Sequence, residues 1–255
     1  MSINPVIRLP ECASTNRYAQ EHFEEFGPLG AVYTTNQTAG RGRLGRSWQN
    51  APGQALYYTA VIREDLAQPA TLPLLASLSV AEQLRLRYGV QCAVKWPNDL
   101  LLNGKKVAGI LCQSVAYGED GMGRGILCGV GINLCQTPEF FAAAGLPHAS
   151  SLAAQGAVVD PDADPAWLAE QLTDFGFDRP LYTFAREGFA PYRQAYKAAC
   201  INLGRTVTFD AGGGRQGTGT AVDVDEEGRL VVRTADGDTA VFTGEVSVQG
   251  IYGAV

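Results

Sequence analysis

Asn103-Gly104 stands between two apolar runs, residues 100–102 and 105–114. An Asn-Gly pair supplies the positive φ that a two-residue turn requires, so the segment predicts a tight β-hairpin. Residues 93–96 precede it and residues 125–134 follow it, both strand-like. Consecutive hairpins commit this part of the chain to a largely antiparallel sheet, which must bury a face under helices packed on one side. Further strands are expected at 6–9, 31–35 and 56–62. Ser14 or Thr15 caps an expected helix to about Phe26, where Gly27-Pro28 stops it. Helices are also expected at 72–88, 165–175 and 181–200. Near Asn202 the pattern changes to short β runs at 206–209, 217–224, 230–233, 239–242 and 246–248, punctuated by Gly and Asp. That spacing predicts a small closed barrel. The expected class is α+β, divided at 1–201 and 202–255.

Charge is uneven. The whole chain is acidic, with 20 Lys+Arg against 26 Asp+Glu over 255 residues, which excludes a generic basic nucleic-acid binder. Yet Phe26 to Arg63 holds no acid, but has Arg41, Arg43, Arg46 and Arg63. Between Gln83 and Gly118 the single acid is Asp99, against Arg85, Arg87, Lys95, Lys105 and Lys106. Two acid-poor stretches in an acidic protein point to an anion site for carboxylate, phosphate or both. Residues 204–255 carry a net charge of −4 and do not resemble a phosphate binder.

Other chemistries lack their residues. No apolar run reaches the roughly 18–20 residues of a membrane span, and the first residues have no signal-peptide pattern. The six Cys form no C-x-x-C pair and read as reduced thiols of a cytoplasmic protein. His22 and His148 stand alone, which leaves neither zinc-ligand spacing nor a hydrolytic triad. Gly40 to Gly45 and Gly212 to Gly217 match a dinucleotide-binding spacing, but neither opens an apolar helix after a strand. Asp160, Asp162 and Asp164 mimic a calcium loop, with Pro165 where Gly is needed and Gln171 where Glu is needed.

Four segments remain: Ser14-Thr15-Asn16; Gln37 to Trp48, containing Gly40-Arg41-Gly42-Arg43-Leu44-Gly45-Arg46; Lys95-Trp96-Pro97-Asn98-Asp99; and Lys106-Val107-Ala108-Gly109-Ile110 followed by Gly129-Val130-Gly131-Ile132-Asn133. Residues 36–53 show no hydrophobic period, and a loop of that length in a compact domain is usually functional or disordered. Singly, Ser14 is a helix cap, Trp96 a core residue and Gly109 a packing glycine.

Together, in this order, they resemble the biotin–protein ligases from about Ser14 to Asn133, and more weakly again at Gly244-Glu245-Val246-Ser247. The resemblance implies a catalytic domain with a mixed sheet, followed by a Src-homology-3-type barrel. It implies activation of biotin with MgATP as biotinyl-AMP, then transfer to a lysine of a biotin carboxyl carrier protein. Ser14, Thr15, Asn16 and Gln37 would bind the ureido and thiophene end of biotin. Arg41, Gly42 and Arg43 would hold its carboxylate and the adenylate phosphate. Lys106 would neutralise charge where carboxylate meets phosphate. Trp48 would cover the adenine, with Asn133 near the nucleotide and Asn98 and Asp99 at the phosphates and Mg²⁺. Lys106, Arg43 and Asp99 are the catalytic candidates, Asp99 either as a metal and phosphate residue or as the group that orients or accepts the acceptor lysine's proton. Cys135, where the family motif often has Asn, carries no role. About thirteen residues precede Ser14, too few for the DNA-binding helical domain of bifunctional members, so a monofunctional enzyme without a DNA partner is expected. Neither a membrane partner nor any location but the cytoplasm is expected. Homodimers through a sheet edge are common in the resembling family.

The residues suit that chemistry. Adenylation joins two anions and removes no proton, so it needs positioning and charge neutralisation. Arg and Lys on and near a Gly-rich loop provide both, and loop closure excludes water from a labile mixed anhydride. Two rivals stay open. A lipoate–protein ligase shares the broad fold, but its expected R-R-x-S-G-G-G string is missing. A non-catalytic biotin or nucleotide binder has no need to keep Arg43, Lys106 and Asp99 together.

Overall fold

The computed structural model describes residues 4–118, 122–210, 216–242, 246–249 and 251. Seven strands form the larger sheet: β1 (Val6–Arg8), β2 (Leu29–Thr34), β3 (Ala55–Ile62), β4 (Ala93–Lys95), β5 (Asp99–Leu102), β6 (Lys105–Tyr117) and β7 (Gly123–Asn133). Their order is β1-β2-β3-β7-β6-β5-β4. Only β1 and β2 pair in parallel; every other ladder is antiparallel, which makes the sheet mixed as expected. The predicted hairpin joins β5 to β6, with Asn103 at φ 49° and Gly104 at φ 75°.

The sheet has two unequal faces. Leu56, Tyr58, Ala60 and Ile62 of β3 point into the main core, under α2 (Leu72–Tyr88), α4 (Asp164–Gln171), a π-helical segment (Leu172–Asp178), α5 (Arg179–Glu187) and α6 (Arg193–Ala199). Tyr58 Oη reaches Thr173 Oγ1 of the π segment at 3.0 Å. The opposite face is covered at one end by the short α1 (Thr15–Glu21) and the 3-10 turn Phe23–Glu25. There Ala19 and Phe23 pack on Val32, Val61 and Leu127. The long helices therefore share one side, and short elements, α1 among them, wall the other. Covered on both faces, β3 is fully buried, which explains its unbroken apolar run.

Helix ends follow local chemistry. Gly89, at φ 67°, closes α2 with its N–H on Arg85 O at 2.9 Å. The helix expected over 181–200 is two helices: Gly188, at φ 62°, ends α5, Phe189 N–H donates to Gln68 Oε1 at 2.8 Å, and a 3-10 turn Ala190–Tyr192 leads into α6. The helix expected to end at 175 continues through the π segment into α5. A further helix, α3 (Pro138–Ala143), was not expected; Thr137 Oγ1 caps it by accepting from Phe140 N–H.

The smaller sheet holds β8 (Thr206–Asp210), β9 (Gln216–Val224), β10 (Leu230–Thr234), β11 (Gly237–Val241) and β12 (Val246–Val248), all antiparallel in the order β11-β10-β9-β8-β12. No ladder joins β11 to β12 among the described residues. Gly244, Glu245 and Gly212 to Gly214 lie outside those residues.

The two sheets are stitched at β4 and the residues after it. Trp96 is buried; its N–H donates to Asn202 Oδ1 at 2.8 Å and its Nε1–H to Gly228 O at 2.9 Å. Lys95 Nζ donates to Val246 O at 2.9 Å. Asp223 accepts from Arg193 and Lys197 at 2.7 and 2.6 Å. No described helix is long and apolar enough to cross a membrane.

Candidate active site

A cleft of about 970 Å³ opens on the sheet face that α1 shares. Strand glycines make the room. Gly109 and Gly131 are cross-strand partners on β6 and β7. A Cβ at either would meet the Trp48 indole, at 2.9 and 2.8 Å respectively, so the indole lies flat on the sheet only because both are glycine. A Cβ at Gly129 would meet Asn16 Oδ1 at 2.3 Å.

At one end α1 brings a buried polar group. Thr15 N–H and Oγ1 both lie within hydrogen-bond reach of Gln37 Oε1, at 2.8 and 3.2 Å. Asn16 Nδ2 donates to Gln113 Oε1 at 2.6 Å and to Leu111 O at 3.3 Å. Ser14 occupies the helix N-cap position without a side-chain cap bond.

Cations gather at the other end. Lys106 Nζ pairs with Asp99 Oδ1 at 2.7 Å and lies 5.3 Å from the Trp48 ring centroid. Arg43 Nη1 donates to Asn98 Oδ1 at 2.9 Å. Asn98 is itself fixed to β6, its Nδ2 donating to Ile110 O at 2.8 Å and its carbonyl accepting from Ile110 N–H at 2.9 Å. Burial disfavours charge on Arg43 and lowers its pKa, against the pull of Asp99. Burial also lowers Lys95, to about 8, with Asp99 opposing and Lys106, Arg43 and Arg46 adding to the fall. Cationic groups crowded beyond what one carboxylate balances form a site prepared for an anion.

The long loop is not shapeless. Its tip closes as a small hairpin: Arg41 bridges Ser47, Gly42 N–H donates to Arg46 O at 2.7 Å, and Trp48 N–H to Gly40 O at 3.0 Å. At the turn Leu44 has φ 57° and Gly45 φ 74°. A left-handed leucine is strained, and here it stands 67% exposed at the lip of the cleft.

Every residue singled out from the sequence lines this one cleft: Ser14, Thr15, Asn16, Gln37, Arg41, Gly42, Arg43, Trp48, Asn98, Asp99, Lys106 and Asn133. Asn133 is buried and braced, donating to Ser150 O at 2.9 Å and accepting from Gln136 Nε2 at 3.1 Å. Sequence reasoning gave no role to Lys95, Gln113 or His148, which also line it, nor to Val246 and Ser247, which bring β12 to its rim. His148 was dismissed as isolated; its carbonyl accepts from Lys106 N–H at 2.9 Å, and burial, then Lys106, lowers its pKa. The acid-poor charge pattern held the signal for Lys95; a register-level view of β6 was needed for Gln113.

The six cysteines are free, with Cys112 and Cys128 Sγ atoms 3.3 Å apart across β6 and β7. No group of three or more His, Cys, Asp or Glu that could hold a metal ion occurs among the described residues. The mimic of a calcium loop is a structural turn: Asp164 is buried and accepts from Arg87 and Tyr88.

Residues 9–133 match the model of the biotin/lipoate A/B protein ligase family, and residues 203–249 that of the biotin protein ligase C-terminal domain. A biotin–[acetyl-CoA-carboxylase] ligase of Paracoccus denitrificans is 33% identical, over 86% of this chain and 90% of its own length. The bifunctional ligase/repressor BirA of Bacillus subtilis is 30% identical, over 92% of this chain and 71% of its own. The structure of the biotin protein ligase from Aquifex aeolicus in complex with biotin and ATP superposes with a TM-score of 0.76 at 27% identity, covering 96% of this chain and 98% of that one.

Proposed function

The chain belongs to the biotin protein ligases of the biotin/lipoate A/B protein ligase family, and we propose how its cleft does the work of one. Biotin and MgATP are joined as biotinyl-AMP with release of pyrophosphate, and the biotinyl group passes to a lysine of a biotin carboxyl carrier protein. The observation that carries this reading is a single cleft whose two ends differ: a neutral hydrogen-bonding end at Thr15, Asn16 and Gln37, and a cationic end at Arg43, Lys95 and Lys106. Biotin has the matching polarity, a ureido ring at one end and a carboxylate at the other.

The ring lodges at the neutral end with Ser14 at its entrance. The carboxylate then reaches Arg41, Gly42 and Arg43, and Lys106 stands where the carboxylate oxygen attacks the α-phosphate. Lys106 is held there by Asp99, so its charge needs no rearrangement as charge builds in the transition state. Asp99 offers one carboxylate, which suits a magnesium ion that arrives with the nucleotide's phosphates rather than one caged by protein. Asn98 keeps Arg43 aimed at the same oxygens. Trp48 covers the adenine, with Asn133 below. The exposed Leu44 closes over the mixed anhydride and keeps water from it. Free thiols throughout support a reducing compartment, the cytoplasm. The division of labour falls at residues 201 and 202.

The test is isotope exchange between pyrophosphate and ATP, with biotin and lipoate supplied side by side. Biotin supports Mg²⁺-dependent exchange and lipoate does not. Equal exchange with lipoate would end the biotin reading, because a dithiolane makes no use of the polar end.

A further inference from the structure

Thr59 lies on β3, fully buried, and does not line the cleft. Its hydroxyl nevertheless sits between the residues that do, 2.7 Å from Asn16 Oδ1 and 2.9 Å from Thr15 Oγ1. The orientation of each neighbour follows. Both recorded partners of Asn16 Nδ2, Gln113 Oε1 and Leu111 O, are acceptors, so the Asn16 carbonyl must face Thr59. Gly129 gives the carboxamide its seat, since a Cβ there would stand 2.3 Å from Asn16 Oδ1. Thr15 N–H donates to Gln37 Oε1, which directs the Gln37 amino group away from α1, toward Gly40; the one Thr15 hydroxyl proton then serves Thr59 Oγ1, whose own proton goes to Asn16. Being β-branched, Thr59 has few rotamers in which to point its hydroxyl elsewhere.

We infer that Thr59 is a positioning residue for the ring end of the substrate: its buried hydroxyl sets which way the Asn16 amide presents its donor and acceptor and anchors the Thr15 hydroxyl beside it, and so sets the preference for biotin over acids that lack a ureido ring. The inference rests on the biotin reading above. A site built to satisfy ring hydrogen bonds discriminates strongly only while its own polar groups are held in the complementary orientation. Remove the hydroxyl and Asn16 Oδ1 loses its donor, which frees the amide to turn. A ring-less fatty acid makes no use of the network and should not register the change.

The experiment uses the full chain and reads biotin-dependent pyrophosphate exchange, with octanoate as a competitive inhibitor. Thr59→Val keeps shape and removes the hydroxyl; Thr59→Ser keeps the hydroxyl. Thr59→Val raises the KM for biotin about tenfold, leaves the KM for ATP and kcat within about twofold, and leaves the octanoate inhibition constant unchanged. Thr59→Ser restores the biotin KM to near the parent value. Gln113 is exposed, so Gln113→Leu spares the fold and loosens the same amide from its other end; it raises the biotin KM in the same direction. If Thr59→Val does not fold, Thr59→Cys, which keeps the volume and donates only weakly, takes its place. A parent-like biotin KM in the folded variants, or equal weakening of biotin and octanoate, overturns the inference while parental exchange keeps the functional reading intact. An unaltered chain that shows no biotin-dependent exchange overturns both.

Discussion

Lys106 meets Asp99 on one side and the Trp48 ring on the other, which leaves the ammonium facing the cleft with its position already set. Lys106→Ala should lower the adenylation rate by ~10²–10³, the scale on which removal of one preorganised oxyanion donor acts, with stability little changed. Single-turnover formation of biotinyl-AMP measures it, and a parental rate would remove Lys106 from the reaction. Lys95 has a different signature because burial lowers its pKa to about 8. Below that pH the amine is charged in the folded and unfolded chains alike. Between about 8 and the ordinary lysine value near 10.5, the unfolded chain holds more protons, so stability rises with pH across that window and levels above it. Urea midpoints of the ligand-free protein should climb from pH 7.5 to 10 more steeply than those of Lys95→Met. Parallel curves would mean that the buried ammonium carries no cost.

Among the elements, the break between α5 and α6 depends most on one residue. Gly188 has φ 62° and ψ −141°, and a Cβ there would lie 2.5 Å from Gln68 Oε1. Gly188→Ala should therefore cost on the order of 1–3 kcal/mol, read as a lowered urea midpoint, while parental stability would show that the break relaxes freely. The same position shows why the break was only half legible in the sequence. Gly188 and Pro191 are local signals of a break, but the apolar spacing from Leu181 to Tyr196 reads as one helix, and what holds the turn, Gln68, lies far earlier in the chain. The β5–β6 hairpin was legible because its cause, Asn103-Gly104, is local. The site divides in the same way. The segments containing Arg43, Asp99 and Lys106 stood out by charge and glycine content, and all converge on one cleft. Thr59 and Gln113 did not stand out, because their contacts with Asn16 span 43 and 97 residues and exist only in the register of the folded sheet. The small α3 was missed because its signals, a capping Thr and one Pro, are too short to form a period.

At the scale of the molecule, one segment belongs to both sheets. Lys95 and Trp96 reach the smaller sheet while Asn98 and Asp99, a few residues on, serve the cationic end of the cleft. Trp96→Phe keeps the ring in the core but leaves the Gly228 carbonyl without its donor. We expect a loss of about 1–3 kcal/mol in unfolding free energy, together with a raised KM for ATP as the Asn98 end of the segment loosens. A drop in stability with an unaltered KM would separate the junction from the site. The partners in this seam differ in kind. Asp223 meets α6 with its carboxylate, but at this segment the larger part contributes side chains, Lys95 and the Trp96 indole, and the smaller part answers with main-chain oxygens, Val246 and Gly228. Main-chain oxygens are present whatever residue is encoded. The two positions are held for their shape and not for side-chain chemistry: at φ 73° a Cβ on Gly228 would meet Thr71 Cγ2 at 2.8 Å, and Val246 is buried in the core, whereas Lys95 and Trp96 are held for the groups they donate. A hybrid gene that splices in a foreign C-terminal half should succeed according to the path of its loops rather than its percentage of matching residues.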